Sequence, residues 1–263
     1  MEECFQYNRV LAYKGAVGES RERFCRNYLA SKQLSIATLE AKLQEKAAAD
    51  DTAVTCSRGC IACCQLYIMA TLPEVEAIVY YLYQHEAALR HFLTAFASWR
   101  ERVQQADDIV RRINSLRARL GSGRAGADDM RQYLEAGEAY QRQGIPCPFL
   151  MNGDCAIYEA RPYACAGVVS ISPPEWCDPS HPAHPDMKYV RAEIDMREDI
   201  PYFRLPLQKV IYASLPLMVH HILKDGWDAL AGIPGLKDIK KDAMNDPAMR
   251  AAMKSLGEQR DVA

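Results

Sequence analysis

Four cysteines stand in the run Cys56-Ser57-Arg58-Gly59-Cys60-Ile61-Ala62-Cys63-Cys64, and three more follow far downstream at Cys147, Cys155 and Cys165. Thiols at this density are crosslinked, coordinated or reactive, and each choice demands that the chain bring their sulfurs together. Crosslinking is the least demanded. A chain of 263 residues buries roughly 70–75% of its unfolded surface on folding, so it needs no staples. Its ten cysteines also fall well short of the roughly 8–10% share that marks a disulfide scaffold. The start Met1-Glu2-Glu3-Cys4-Phe5-Gln6 is acidic where a secretory signal needs a basic end and an apolar run. This predicts a cytoplasmic protein with reduced thiols, in which clustered cysteines serve as metal ligands or catalytic groups.

The spacing supports convergence within each cluster. On an ideal helix, C-x3-C-x2-C-C places Cys56, Cys60, Cys63 and Cys64 within an arc of about 100°. Should Gly59 break that helix, the four thiols still stay close along the chain. In the second cluster Asn152-Gly153 is a strong hairpin signal, because both central residues must accept positive φ. That turn folds Cys155 back toward Cys147, and the corner at Arg161-Pro162 presents Cys165 to the same place. Neither motif holds a histidine. A donor set of thiolates alone suits iron–sulfur clusters, Zn(II) or Cu(I) and disfavours Mg, Ca and Mn. A [4Fe–4S] cluster or a structural zinc takes four thiolates, so seven imply either further supporting thiols or two sites. A cluster held by only three protein thiolates leaves one iron open to substrate or to S-adenosylmethionine.

Around the clusters the pattern is helical. Ala, Leu, Lys and Glu dominate from about Glu19 to Ala49, with Phe24, Tyr28, Leu39 and Leu43 at helical spacing. Thr71-Leu72-Pro73-Glu74 has the form of a capping box and predicts a helix start. Apolar residues then recur in steps of three and four from Val75 through Leu120. Another helix carries Met130, Tyr133, Leu134 and Tyr140 and stops at Gly144 and Pro146. Helical runs are expected at roughly Met187–Asp199 and Leu207–Lys224. The expected fold is mainly α: an irregular helical bundle, one domain over residues 1–263, with a small cysteine-rich hairpin and loop metal site. The cysteine core spans 56–165 and the tail frays over 257–263.

The pairing of C-x3-C-x2-C-C with C-P-F-L-x-x-G-x-C-x-I-Y-E-x-R-P-x-x-C resembles the YkgJ-type cysteine-cluster family, a zinc- or iron-chelating group to which flagellin lysine N-methylase is related. The residues in register are Cys147, Pro148, Phe149, Leu150, Gly153, Cys155, Ile157, Tyr158, Glu159, Arg161, Pro162 and Cys165. The resemblance implies a bound metal at Cys56, Cys60, Cys63, Cys64, Cys147, Cys155 and Cys165. Through the methylase relatives it also implies a [4Fe–4S] cluster serving redox or group-transfer chemistry, including S-adenosylmethionine-dependent methylation of a protein lysine. Arg161 and Tyr158 are the candidate cofactor contacts, Arg161 as a cation beside thiolate charge. The competing reading is a zinc-stapled binding module without chemistry, and a third is a thiol redox sensor.

Other signals carry less. Gly121, Gly123 and Gly126 satisfy G-x-G-x-x-G but follow an Arg-rich helix rather than a strand, which reads as a linker. His85 and His91 are six residues apart and diverge on a helix. Cys177, His181 and His184 sit in a Pro-rich loop over 170–186 and read as surface, while Cys4 and Cys25 read as small buried apolar residues. A net charge of -2 and a pI near 6.3 give no basic footprint for nucleic acid or an anionic membrane. The apolar stretch Leu205–Leu223 is too interrupted to span a bilayer. The expected partner is therefore a protein or small-molecule substrate.

Overall fold

The computed structural model describes residues 18–121, 126–192 and 212–225. Helix α1 runs Gly18–Ala49. Its buried stripe of Tyr28, Leu29, Lys32, Ile36, Leu39, Leu43 and Ala47 steps by three and four, with one lysine among apolar residues. It ends where Asp51 takes φ 52° and the Thr52 N–H and hydroxyl both donate to the Ala47 carbonyl, satisfying one of the orphan carbonyls of a helix end.

The capping box forms as the sequence predicts. Strand β1, Met69–Thr71, leads directly into α2, Leu72–Gln84, and Glu74 accepts the Thr71 N–H and hydroxyl, each at 2.8 Å. Buried on nearly every face, α2 is the centre of the molecule: Val75, Ala77, Ile78, Val79 and Leu82 are all fully enclosed. It packs against α1 and against α7, Leu215–Asp225.

The long apolar pattern after Val75 divides at two non-helical residues, His85 and Ala106. This separates α2 from α3, Glu86–Gln105, and α3 from α4, Asp107–Gly121. Helix α5, Ala127–Gln141, packs along α4. Gly144, at φ 58°, turns the chain out of α5. The linker expected at 121–126 falls mostly outside the described residues.

Among the described residues, strand structure is confined to three two-stranded antiparallel pairs: β1 with β6, Tyr212–Ser214; β2, Leu150–Met151, with β3, Asp154–Cys155; and β4, Val168–Ser170, with β5, Tyr189–Arg191. Seven helices among the described residues, the shortest being α6, Tyr163–Ala166, make the fold mainly α. Two helical expectations are corrected. Tyr189–Arg191 is strand, because its backbone pairs with Val168–Ser170, and residues 193–199 lie outside the described residues. The last helix begins at Leu215, since Tyr212–Ser214 pairs with β1; residues 207–211 and the tail at 257–263 also lie outside. No helix among the described residues is long and apolar enough to cross a membrane.

Candidate metal centre

The second cysteine segment is built on the core. Asn152 at φ 52° and Gly153 at φ 80° make a tight turn in which both central residues are left-handed, and Cys155 pairs with Leu150 across it. Phe149 is 1% exposed and stacks on Phe92 of α3, ring centroids 4.5 Å apart. His91 Nε2 meets the Leu150 carbonyl at 2.7 Å. The hairpin is therefore seated by apolar contact and fixed by a polar pin.

The Arg161-Pro162 corner is held from below by a buried polar group. Lys32, 1% exposed, donates to the Ala160 carbonyl at 2.9 Å and lies 3.9 Å from Glu74. Glu74 also accepts the Tyr163 N–H at 2.8 Å, capping α6. Burial lowers the Lys32 ammonium to about 8, against the opposing pull of Glu74. The chain before and after Pro162 is thus tied to α1 and α2, and α6 carries Cys165 from that anchor. Sequence periodicity identified neither Lys32 nor Glu74 as part of the site, because the contact closes over a chain separation no local pattern spans.

The first segment is not a helix. Gly59 takes φ 89°, a region open to glycine and strained for other residues. A turn bond from Cys60 N–H to the Ser57 carbonyl closes around it, and only Ala62–Gln65 forms a single 3-10 turn. The four thiols nevertheless face the other three. The Cys147 N–H donates to the Cys64 carbonyl at 2.6 Å, joining the two motifs directly. All seven cysteines line one cavity of about 240 Å3, together with Tyr158 and Arg161, and every described cysteine is a free thiol. The thiols stand around the cavity wall; among the described residues, no three His, Cys, Asp or Glu side chains form a preassembled ligand polyhedron.

Electrostatics in the cavity follow from burial. Burial raises the Cys56, Cys155 and Cys165 thiols and pushes Cys147 up to about 12. Main-chain N–H groups oppose this at three sulfurs: Ser170 at Cys56, 3.0 Å away, Phe149 at Cys147 and Ile157 at Cys155. Cys64 donates its thiol hydrogen to Cys63, which lowers Cys63 to about 7 and raises Cys64. The Arg161 guanidinium further favours thiolate at Cys63 and Cys155. Its side chain is 11% exposed. It pairs with Glu40 and stacks 3.7 Å from the Tyr158 ring.

Arg58 also lies over that ring at 4.9 Å while bridging Asp154 at 2.9 Å and Glu159 at 3.1 Å. Arg161 is therefore the cation of the cavity. Tyr158 contacts both arginines through its ring. Seven reduced thiols in one cavity, with N–H donors to the sulfurs, one cation beside them and the lining carboxylates Glu40 and Asp154 paired with Arg161 and Arg58, fit a zinc or iron site.

Cys177, expected at the surface of its loop, stands beside the first cluster. Gln141 Nε2 donates to its carbonyl at 2.8 Å and to the Ala62 carbonyl at 3.3 Å. His181 and His184 remain in the loop, where His181 Nδ1 accepts the Ala183 N–H and His184 Nδ1 meets the Trp176 carbonyl at 2.8 Å. Cys25 is fully buried in the apolar core as expected, and Cys4 lies outside the described residues.

Residues 55–178 match the family model CxxCxxCC, described as "Putative zinc- or iron-chelating domain". The chain carries a CxxCxxCC domain. The match begins at Thr55, whose N–H bonds Ser170 at 2.9 Å, and ends one residue beyond Cys177. It therefore encloses both CxxCxxCC cysteine segments and the strand that ties them. The first gap here is one residue longer than the motif for which the family is named, and Gly59 occupies the added turn. No curated protein and no solved structure matches the chain.

Proposed function

We propose that the CxxCxxCC domain holds an iron–sulfur cluster, of the [4Fe–4S] type, and that the protein acts in cytoplasmic redox or group-transfer chemistry. The observation that carries the reading is the single cavity lined by seven histidine-free thiols, three of which accept main-chain N–H groups. Hydrogen bonds to sulfur are among the levers by which proteins set cluster potentials. Such a cluster supplies one-electron transfer or, where one iron lacks a protein thiolate, a position for substrate or S-adenosylmethionine.

The chain's own residues suit these tasks. Arg161 balances thiolate charge in the cavity, and Cys147 and Cys165 are positioned by the core. Cys60 is shared with an open groove of about 590 Å3 lined by Gln65, Gln141, Glu175, Asp178 and Arg58, whose guanidinium is paired with Asp154 and Glu159. The carboxylates Glu175 and Asp178 suit a cationic group entering that groove, which agrees with methylation of a protein lysine. A protein or a small molecule bearing such a group is the expected substrate, rather than nucleic acid or a membrane.

A zinc-stapled binding module is the second reading, favoured by the way the hairpin and the Arg161-Pro162 corner are knitted into the core. Anaerobic isolation separates the two. Brown protein with iron and acid-labile sulfide in near-equal amounts supports the cluster, and colourless protein with stoichiometric zinc supports the staple. An S-adenosylmethionine titration that leaves the electron paramagnetic resonance of the reduced protein unchanged rejects the methylation form of the proposal.

A further inference from the structure

Helix α5 carries a second apolar stripe besides the one that seats it. Ala136 and Tyr140, each 1% exposed, face the core, with Tyr133 packed against it. At 100° per residue, Met130, Leu134, Gly137 and Gln141 fall within an arc of about 60°, rotated about 100° from that seat. Met130 and Leu134 are each 44% exposed. Apolar side chains scattered singly over a surface need no explanation, but these two are neighbours at i and i+4. No atom lies within 4 Å of where a Cβ on Gly137 would stand, so the stripe has an open notch one turn before Gln141.

The stripe ends on the open groove. Gln141 lines that groove together with Ile61, Ala62 and Pro174, and its Nε2 bonds to the Ala62 and Cys177 carbonyls fix the groove wall to the end of α5. Ile61, 42% exposed, continues the apolar surface. A rise of 1.5 Å per residue sets Met130 about 16 Å from Gln141, a length that a protein segment spans and a single amino acid does not. Charge differs along this path. The four carboxylates of α5 meet four arginines, Arg112, Arg119, Arg131 and Arg142. In the groove, Arg58 already serves both Asp154 and Glu159, while Glu175 and Asp178 add two carboxylates to the lining. That end is acidic, with one guanidinium against four carboxylates.

We infer that the stripe and the groove form one docking surface for an amphipathic helical segment of a partner protein. Its apolar face lies along Met130 and Leu134, its backbone comes close at Gly137, and a lysine or arginine at its end enters the acidic groove. Apolar anchors at helical spacing are the usual means by which one helix is held on another protein's surface, and the charge of the groove sets the direction in which the segment lies. The inference rests on the groove's preference for a cationic group and extends it from one side chain to a protein segment. It does not depend on which metal the cysteines hold or on the reaction assigned to the centre.

The test is fluorescence anisotropy on the full chain, isolated anaerobically, with labelled synthetic peptides of about 14 residues, which reach about 21 Å as helices. One is an amphipathic leucine–lysine peptide, the second has its leucines replaced by serine, and the third has its lysines replaced by glutamate. The leucine–lysine peptide is expected to bind about tenfold or more tightly than either of the others. The double variant Met130→Ser/Leu134→Ser should lose about tenfold in its affinity and Glu175→Gln about threefold, with thermal midpoint and metal content unchanged in both. Equal binding of the three peptides overturns the inference. So does wild-type affinity in the double variant; if Glu175→Gln still weakens binding, the groove keeps its preference for cations without the docking stripe. Wild-type affinity in Glu175→Gln overturns that preference and the inference with it.

Discussion

The two cysteine segments that meet in the cavity are built in opposite ways. From Cys147 to Cys165 the thiols alternate with residues buried in the main core: Phe149, Ile157, Ala160 and Tyr163. From Cys56 to Cys64 no residue is buried at all, and Ile61 is 42% exposed. Burying a side chain such as Phe or Ile contributes roughly 1.5–3 kcal/mol, so the second segment is shaped by folding itself. The first is held by main-chain bonds to Cys147 and Ser170. One half of the centre is therefore set by core packing, and the other by hydrogen bonds at the surface.

This contrast breaks most sharply at the buried supports of the second segment. Glu74→Ala strands the buried Lys32 ammonium and uncaps α6; removing one partner of a buried pair costs about 3–5 kcal/mol. Urea denaturation of metal-free protein should show a loss of that size, and a loss under 1 kcal/mol would mean the corner is not anchored there. Phe149→Ala removes the hairpin's apolar seat, with an expected cost of about 3–5 kcal/mol by the same assay and a parallel loss of bound metal. Gly153→Val forces a β-branched residue into φ 80°, at a cost of about 1–2 kcal/mol. A smaller fall in thermal midpoint should follow, with weaker metal loading because Cys155 shifts.

Alkali sharpens the comparison further. Burial raises Cys147 to about 12 and also raises Cys155 and Cys165. These thiols favour the folded, metal-free chain below the ordinary thiol range near 9, and that contribution fades as pH rises toward 12. Lys32, held down to about 8, acts with the opposite sign, adding stability as pH rises from about 8 to the ordinary lysine value near 10.4. Several thiols oppose a single lysine. Metal-free stability should therefore fall between pH 8.5 and 10.5, and Cys147→Ala should flatten the fall. The smallest stability effect belongs to the first segment: Cys60→Ser should leave metal-free stability within about 0.5 kcal/mol of wild type while reducing metal content. Equal losses of stability from Cys60→Ser and Phe149→Ala would erase the distinction between the segments.

Much of this was legible in the sequence wherever chemistry is local. Asn152-Gly153 encodes its hairpin in two residues, Thr71 and Glu74 encode their helix start in four, and the stripe of α1 follows from spacing. What was missed depends on partners distant in sequence. Tyr189–Arg191 reads as helix until β4 lies beside it, and neither His85 nor Ala106 carries a proline or glycine to mark a break. Nothing local in the sequence marks Lys32 as the buried support of the Arg161-Pro162 corner. Cys177 looked like a loop residue because Gln141 and Ser170, which bring it to the first cluster, carry no motif.

The most direct test of the thiol cavity is X-ray absorption at the edge of the metal in anaerobically isolated protein. The account predicts a first shell of sulfur alone, at about 2.3 Å for zinc or, for iron, with a second shell of iron scatterers as in a cluster. Nitrogen or oxygen as the principal first-shell scatterers would contradict it.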